Sequence, residues 1–243
     1  MSRVTSALPT GPAEVGHTHA DVSGGALRAS VFGAMDGLVT NIALVAGVGA
    51  AGANPHFIVL TGLAGLVAGA FSMALGEFTS VRTQNEQVDR EWAKERAEIA
   101  ANGPAEENEL AEMFAEMGMS DTTAKAAAHE VHADPAQAAL LHVTQELGLD
   151  PQDKPSPQVA AVSSFFTFSL GALVPLIPFL LGFSSLTLGL AVGGLGLLVA
   201  GGLAALATGV PWWLSSTRQL AFGAIAAGAT YLVGSAMGVG AVG

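Results

Sequence analysis

Residues 61–98 read TGLAGLVAGAFSMALGEFTSVRTQNEQVDREWAKERAE and join an apolar half to a charged half without a proline or a turn cluster between them. The first charge is Glu77, and acidic side chains recur from Glu86 onward. This stretch predicts one continuous helix, about 57 Å long at a rise of 1.5 Å per residue. The hydrocarbon core of a bilayer is only about 30 Å thick, so roughly half of the helix must stand in water. The pattern therefore predicts a membrane-spanning helix that continues outside the membrane as a stalk.

The composition of the whole chain agrees with a membrane protein that carries one acidic insert. Hydrophobic residues make up 51% of the 243 residues, the mean hydropathy is +0.51, and only 12% of the residues are charged, about half the fraction of a soluble domain. Of the 20 Asp and Glu residues, 16 lie in 82–158. The chain has no cysteine, which excludes disulfides, thiolate metal sites and thiol catalysis. A net charge of −11 argues against nucleic acid as a partner.

Five apolar stretches are long enough to cross a membrane, and we place them at 27–50, 57–78, 159–181, 186–210 and 219–239. We predict an all-α polytopic protein in which 27–81 holds the first two spans, 82–158 is a helical insert, and 159–243 holds the last three. Residues 1–26 are predicted to be a flexible tail, in which His17 and His19 are solvated. With five spans, all nine Lys and Arg residues fall on one side, which predicts a cytoplasmic N-terminus and a cytoplasmic insert.

Inside the spans, a carboxylate, a thioether and an amide indicate a path for a metal cation. Asp36 lies within the first span, where an ionisable side chain is expensive and therefore functional by default. Gly33 and Gly37 flank it at a spacing that permits close helix contact. Met73 and Glu77 are four residues apart on one helix face, and carboxylates with a thioether favour a transition metal over Mg or Ca. The predicted ion path consists of Asp36, Asn41, Met73 and Glu77.

In the insert, acidic residues recur at helical spacing. Glu91, Glu95 and Glu98 form one stripe, Glu106 and Glu109 follow a Gly-Pro break, and His142 lies four residues before Glu146. Like charges this close weaken a helix, and bound cations would relieve the repulsion. Spacing alone leaves two interpretations open, a solvated acidic face and a metal-binding domain. The candidate metal ligands are Glu91, Glu95, Glu98, Glu106, Glu109, His142 and Glu146.

An enzyme is not indicated. The spans contain one Asp, no second motif of the intramembrane aspartyl protease type is present, and the chain has no G-x-x-x-x-G-K-[ST] loop for a nucleotide.

Three segments of the sequence resemble the vacuolar iron transporter family, which includes the yeast calcium cross-complementer branch and the nodulin-21-like proteins. They are FGAMDGLVTNIALVAGV at 32–48, SMALGEFTSVRTQNE at 72–86 and LVPLIPF at 173–179. The likeness runs from Leu27 to the C-terminus and includes the insert between the second and third spans.

The resemblance implies a homodimer of five-span subunits with the ion path between them. It implies export of Fe(II), and often Mn(II), from the cytosol in exchange for protons, with the metal as substrate and no permanently bound cofactor. Zn(II) and other divalent metals are further candidates at the insert. Asp36 and Met73 match the family's path residues. The family's insert glutamates correspond to Glu95, Glu98, Glu106, Glu109 and Glu146. Here His142 and Val143 stand where some members have two methionines, and Glu91 has no role that the family assigns.

Two other hypotheses remain: a membrane-anchored metal buffer or sensor that transports nothing, and a transporter of another solute with a regulatory insert. The Ala- and Gly-rich composition suggests a bacterial source and hence the plasma membrane. A plant or fungal source would indicate the vacuolar membrane.

Overall fold

The computed structural model describes residues 25–148 and 151–240 of the chain, and every regular element in those residues is helical. Most of the predicted N-terminal tail, including His17 and His19, lies outside the described residues. The elements are α1 (Gly25–Ala50), α2 (Pro55–Glu116), α3 (Asp121–His132), α4 (Pro135–Leu147), α5 (Pro157–Leu173), a 3-10 turn (Val174–Leu176), α6 (Ile177–Leu180), α7 (Leu186–Thr208) and α8 (Trp212–Gly240).

Five helical segments of the described chain are long and apolar enough to cross a membrane: Gly25–Ala50, Pro55–Glu116, Pro157–Leu180, Leu186–Leu206 and Trp212–Gly238. The prediction of an all-α chain with five spans is therefore confirmed on length and composition. Large apolar side chains such as Phe71, Leu75 and Phe166 are more than half exposed along these segments. Such faces are stable only against lipid or another apolar surface.

The stretch that joins membrane span to stalk is continuous, as predicted. Helix α2 has 62 residues, and the Asn54 side chain caps its start by accepting a hydrogen bond from the backbone N–H of Phe57 at 2.9 Å. The break predicted at Gly103-Pro104 is present as a kink, because Asn102 leaves helical geometry (φ −148°, ψ 48°) and separates two helical segments of α2. Pro104 has no N–H to donate to the carbonyl of Ala100, which accounts for the interruption.

The third span changes helical type at its prolines. Pro175 cannot donate to the carbonyl of Gly171, and the backbone N–H of Val174 bonds that carbonyl instead. The chain therefore forms a 3-10 turn at Val174–Leu176 before α6 begins, and this turn accommodates the missing N–H donor of the proline.

The fifth span begins earlier than predicted. We expected it from Gln219, but α8 starts at Trp212, and the Pro211 carbonyl accepts hydrogen bonds from the N–H groups of Leu214 and Ser215 at 3.0 and 3.3 Å. No residue between Trp212 and Arg218 interrupts a helix, so helical geometry extends back to the proline. Arg218 consequently lies inside the first turns of α8 and not in a loop.

The membrane helices pack around α1, which contacts α2, α5, α7 and α8. Two glycines make the closest approaches possible. A Cβ at Gly37 would lie 2.2 Å from the carbonyl oxygen of Phe168 on α5, and one at Gly234 on α8 would lie 1.9 Å from the carbonyl oxygen of Gly47. Backbones at this distance exclude any side chain, so the close contact predicted from the glycine spacing near Asp36 is confirmed.

The insert is a small helical unit that packs on the second half of α2. Leu110 and Phe114 of α2 pack with Ala124 and Ala128 of α3, and α4 contributes Ala138 and Ala139 to a second cluster. The exit linker is fastened to the same helix. The Lys154 ammonium bonds the Asp89 carboxylate, and the Asn85 side chain donates to the Pro155 carbonyl at 2.9 Å. One helix therefore supports both ends of the insert.

Candidate metal centre and ion path

Three ligand-type side chains meet where α4 packs on the stalk. Glu95 comes from α2, and His142 and Glu146 come from one face of α4. The Asp134 carboxylate caps α4 by accepting hydrogen bonds from two backbone N–H groups, and Pro135 occupies its first turn, so the register of α4 is fixed at its start. The i, i+4 spacing then places His142 and Glu146 side by side.

Glu95, His142 and Glu146, which we call the Glu–His–Glu cluster, have one ligand atom each within 4.8 Å of the others. His142 Nδ1 lies 3.2 Å from Glu146 Oε1 and 3.3 Å from Glu95 Oε1. The His142 side chain is fully buried, and that of Glu95 is 9% exposed. Glu95 Oε1 is buried without a hydrogen-bond donor among the described residues. A buried carboxylate oxygen with no donor is a costly group unless a cation or proton occupies its place.

The electrostatics of the cluster agree with that requirement. Burial raises the pKa of Glu95 from its ordinary 4.5 to about 7; His142 opposes the rise, and the carboxylates of Glu146, Glu106 and Glu98 add to it. A carboxylate in this environment changes its protonation state near neutral pH. Two carboxylates and one imidazole are donors that borderline divalent transition metals accept.

Acidic residues on both sides of the kink in α2 affect the cluster. A straight helix would put Glu106 about 16 Å from Glu95 along the axis, yet Glu106 contributes to the raised pKa of Glu95. The bend at Asn102 lies between these two residues. Glu106 is half-buried at this bend.

The other predicted insert ligands are not part of the three-residue cluster. Glu98 is exposed and lies 3.8 Å from the Lys94 ammonium. Glu109 is exposed and Glu91 is half-buried. Of these carboxylates, Glu98 and Glu106 act electrostatically on Glu95, and negative charge of this kind attracts cations.

A second imidazole, which the sequence did not single out, adjoins the cluster. His132, the last residue of α3, places its Nε2 3.2 Å from His142 Nε2, and the two rings are nearly perpendicular, at 84°. Burial and the neighbouring His142 lower the pKa of His132, so it is a neutral imidazole at neutral pH. In the sequence, His132 is only a histidine at the end of a helical stretch, and nothing there indicates its contact with His142.

Within the membrane, Asp36 is half-buried on α1, between the glycine contacts with α5. Its Oδ1 lies 3.5 Å from the Thr40 hydroxyl, one turn along the same helix. Met73 packs partly buried against Ala70, Phe168 and Ala172. Asp36 therefore keeps a carboxylate partly open to its surroundings, while Met73 is part of the core between α2 and α5.

Glu77 forms an ion pair with Arg28, at the start of the first span. The Arg28 guanidinium lies 2.7 Å from Glu77 Oε2, and their side chains are 60% and 8% exposed. This ion pair joins the N-terminal end of α1 to α2 where α2 leaves its apolar half. A metal that approaches Glu77 must compete with Arg28.

Asn41 is fully buried and ties three helices together. Its Nδ2 donates to the Gly62 carbonyl on α2 at 3.2 Å and to the Ala172 carbonyl on α5. Its Oδ1 is buried without a donor among the described residues. The amide thus has a structural role on its nitrogen side, and only its oxygen is available to a ligand.

Comparison with known proteins places the whole arrangement in one family. The model of the VIT family matches residues 27–235. The chain is 31% identical over 169 residues to vacuolar iron transporter 1 of Arabidopsis thaliana, covering 68% of this chain and 66% of that protein. It is 30% identical over 217 residues to vacuolar iron transporter 1 of Tulipa gesneriana, with 87% of each chain covered. It is 34% identical over 168 residues to a vacuolar iron transporter of Acanthamoeba castellanii, covering 68% of this chain and 60% of that protein. The chain therefore belongs to the VIT family, whose members are transporters and not enzymes.

Proposed function

We propose that this protein exports Fe(II), and also Mn(II), from the cytosol in exchange for protons. The observation that supports this most is the position of Glu95, a member of the Glu–His–Glu cluster, on α2, because α2 runs without interruption from Glu95 back into a membrane span. Relatives bear the name vacuolar iron transporter, and iron as Fe(II) accepts carboxylate and imidazole ligands.

The proposed path has three stations. The acidic insert faces the cytosol and concentrates metal at the Glu–His–Glu cluster, helped by Glu91, Glu98, Glu106 and Glu109. Glu77 lines the entry to the membrane and is released from Arg28 as the cation arrives. Asp36 then binds the dehydrated ion, Met73 supplies a soft ligand, and the Asn41 oxygen is a further donor. Protons from the opposite side replace the metal on Asp36.

The protein acts as a homodimer in this proposal, with the ion path between two subunits. The exposed apolar side chains of α2, including Leu63, Val67 and Phe71, supply a surface for such contact or for lipid. The N-terminus and the insert are cytoplasmic, and the membrane is the plasma membrane in a bacterium or the vacuolar membrane in a plant or fungus.

Flux of Fe(II) and Mn(II) into proteoliposomes, with and without an imposed pH gradient, tests the proposal. We expect gradient-dependent flux for the wild type and its loss for Asp36→Ala. Glu130→Gln removes an exposed insert carboxylate outside the cluster and is the matched control, with unchanged flux. Normal transport by Asp36→Ala would refute the mechanism.

Metal binding and thermal stability, measured beside the flux, separate the alternatives. A metal buffer or sensor would bind Fe(II) through the insert while the full-length protein in liposomes moves none. A transporter of another solute would show neither metal flux nor thermal stabilisation by Fe(II) or Mn(II).

A further inference from the structure

The imidazole of His142 lies between two different sets of partners. Its Nδ1 faces the carboxylates of Glu95 and Glu146, and its Nε2 faces Nε2 of His132 at 3.2 Å. The ring is fully buried, so these protein atoms, and not water, decide which nitrogen carries the proton.

Without metal, the carboxylates decide the tautomer. Nδ1 of His142 must carry the proton to donate to Glu146 Oε1, which leaves Nε2 as an acceptor. His132 then donates from its Nε2–H, since two facing nitrogens can share only one proton.

Metal on the cluster requires the opposite arrangement. The metal takes the Nδ1 lone pair of His142, so the ring proton must move to Nε2, where it needs an acceptor. The one side chain that the described structure places there is His132, which must present a bare Nε2 and carry its own proton on Nδ1. The two imidazoles hold two protons between them in both states, so the exchange balances without releasing any.

We propose that His132 is a positioning residue for metal capture: it holds His142 in the tautomer that binds metal through Nδ1. This inference rests on the proposed function, because it assumes that the Glu–His–Glu cluster binds the transported metal. His132 does not bind the ion itself, because it lies on the opposite edge of the His142 ring from both carboxylates.

The test is Co(II) binding to the full-length protein in detergent, in an Asp36→Asn background that removes the carboxylate of the first span. His132→Leu leaves the Nε2–H of His142 without an acceptor, and we expect Co(II) affinity to fall about 10- to 100-fold. His132→Gln places an amide oxygen at a similar reach and should recover most of the affinity. The matched control is His129→Leu, which removes an exposed histidine of the same helix that pairs with Glu107 at 3.0 Å and should change nothing.

Two spectroscopic readouts separate a positioning role from a merely structural one. With Zn(II), long-range proton–nitrogen correlation should show His142 as the Nε2–H tautomer in the wild type. X-ray absorption of the Co(II) complex should count one imidazole per metal. Two imidazoles per metal, wild-type affinity in His132→Leu, or failure of His132→Gln to recover affinity would each overturn the proposal.

Failure of the proposed function would look different. If Glu95→Gln binds Co(II) as well as the parent protein, the cluster is not a metal site, and both the capture step and the role of His132 are refuted. If Glu95→Gln weakens binding and His132→Leu does not, only the role of His132 is refuted.

Discussion

The Glu95 side chain is buried, is influenced by neighbouring carboxylates, and has an oxygen without a hydrogen-bond donor in the described structure. Because of these features, its protonation state depends on whether a cation is bound beside it. With a pKa of about 7, Glu95 would bind metal in competition with protons near neutral pH, as the proposed function requires. We expect the metal affinity of the insert to fall as the pH drops from 8 to 6, by up to about tenfold per pH unit while one proton is displaced. Mn(II) titrations of the full-length protein followed by paramagnetic resonance would measure this.

Glu95→Gln should bind Mn(II) weakly and lose most of this pH dependence, whereas Glu130→Gln should behave as the wild type.

In the metal-free protein, the folding stability that Glu95 contributes changes with pH in the opposite direction to the metal affinity. A folded-state pKa above the unfolded value gives stability that is complete below about pH 4.5 and is lost as the pH rises through 7. The thermal stability of wild type relative to Glu95→Gln should therefore decrease from pH 5 to pH 8. A flat difference would contradict the assignment.

Arg28 and Glu77 form the second pair whose behaviour follows from burial. Arg28→Met would leave the nearly buried Glu77 carboxylate without its cation, at a cost of about 1–3 kcal/mol. We expect a lower melting temperature in detergent for Arg28→Met, and recovery in Arg28→Met/Glu77→Gln because the unpaired charge is then gone. A double mutant no more stable than the single one would show that Glu77 does not need Arg28.

Contacts between functional side chains could be predicted from the sequence where both residues lie on the same helix. His142 and Glu146 are four residues apart on a capped helix, so their meeting follows from helical periodicity. The partnership of Arg28 with Glu77 joins residues 49 positions apart, and that of His132 with His142 depends on how α3 and α4 pack. Such pairs follow from the register between helices, which spacing within one helix does not determine.

At the scale of elements, the glycines of α1 set how close α5 can come, and with it the position of Asp36. Gly37→Ala would place a Cβ 2.2 Å from the Phe168 carbonyl oxygen, and backbone atoms cannot rotate away. We expect destabilisation of at least about 1–3 kcal/mol. Gly228→Ala on α8, where a Cβ would meet nothing within 4 Å, is the matched control. Thermal unfolding in detergent should separate the two variants, and equal melting temperatures would contradict the close α1–α5 contact.

Helix boundaries show what the sequence could predict about elements and what it could not. The run 61–98 was continuous because nothing in it competes with helical hydrogen bonding. At Pro104 the same reasoning predicted a break, and Asn102 leaves helical geometry directly before Gly103-Pro104. The fifth span was predicted from residue 219, but α8 starts at Trp212, because aromatic residues at a membrane interface are compatible with a helix.

For the whole molecule, α2 is the element that relates the insert to the membrane. It carries Glu77 and Glu95 on one helix, and the linker after the insert is fastened back to it through Asp89 and Asn85. The insert therefore cannot turn independently of the second span without breaking these contacts. The mechanism requires that the insert lie in the cytosol. The distribution of Lys and Arg predicts this orientation, and the orientation can be tested directly.

The chain has no cysteine, so single introduced thiols report the side of the membrane on which each connection lies. We expect a membrane-impermeant maleimide to label His56→Cys and Ser184→Cys in intact cells, since their segments follow α1 and α6 on the side without Lys or Arg. Met119→Cys in the insert and Gly209→Cys after α7 should react only after permeabilisation. Labelling of Met119→Cys in intact cells would reverse the orientation and with it the direction of transport. Labelling of Met119→Cys and Ser184→Cys from the same side would refute the five-span topology, because one span, α5 to α6, separates them.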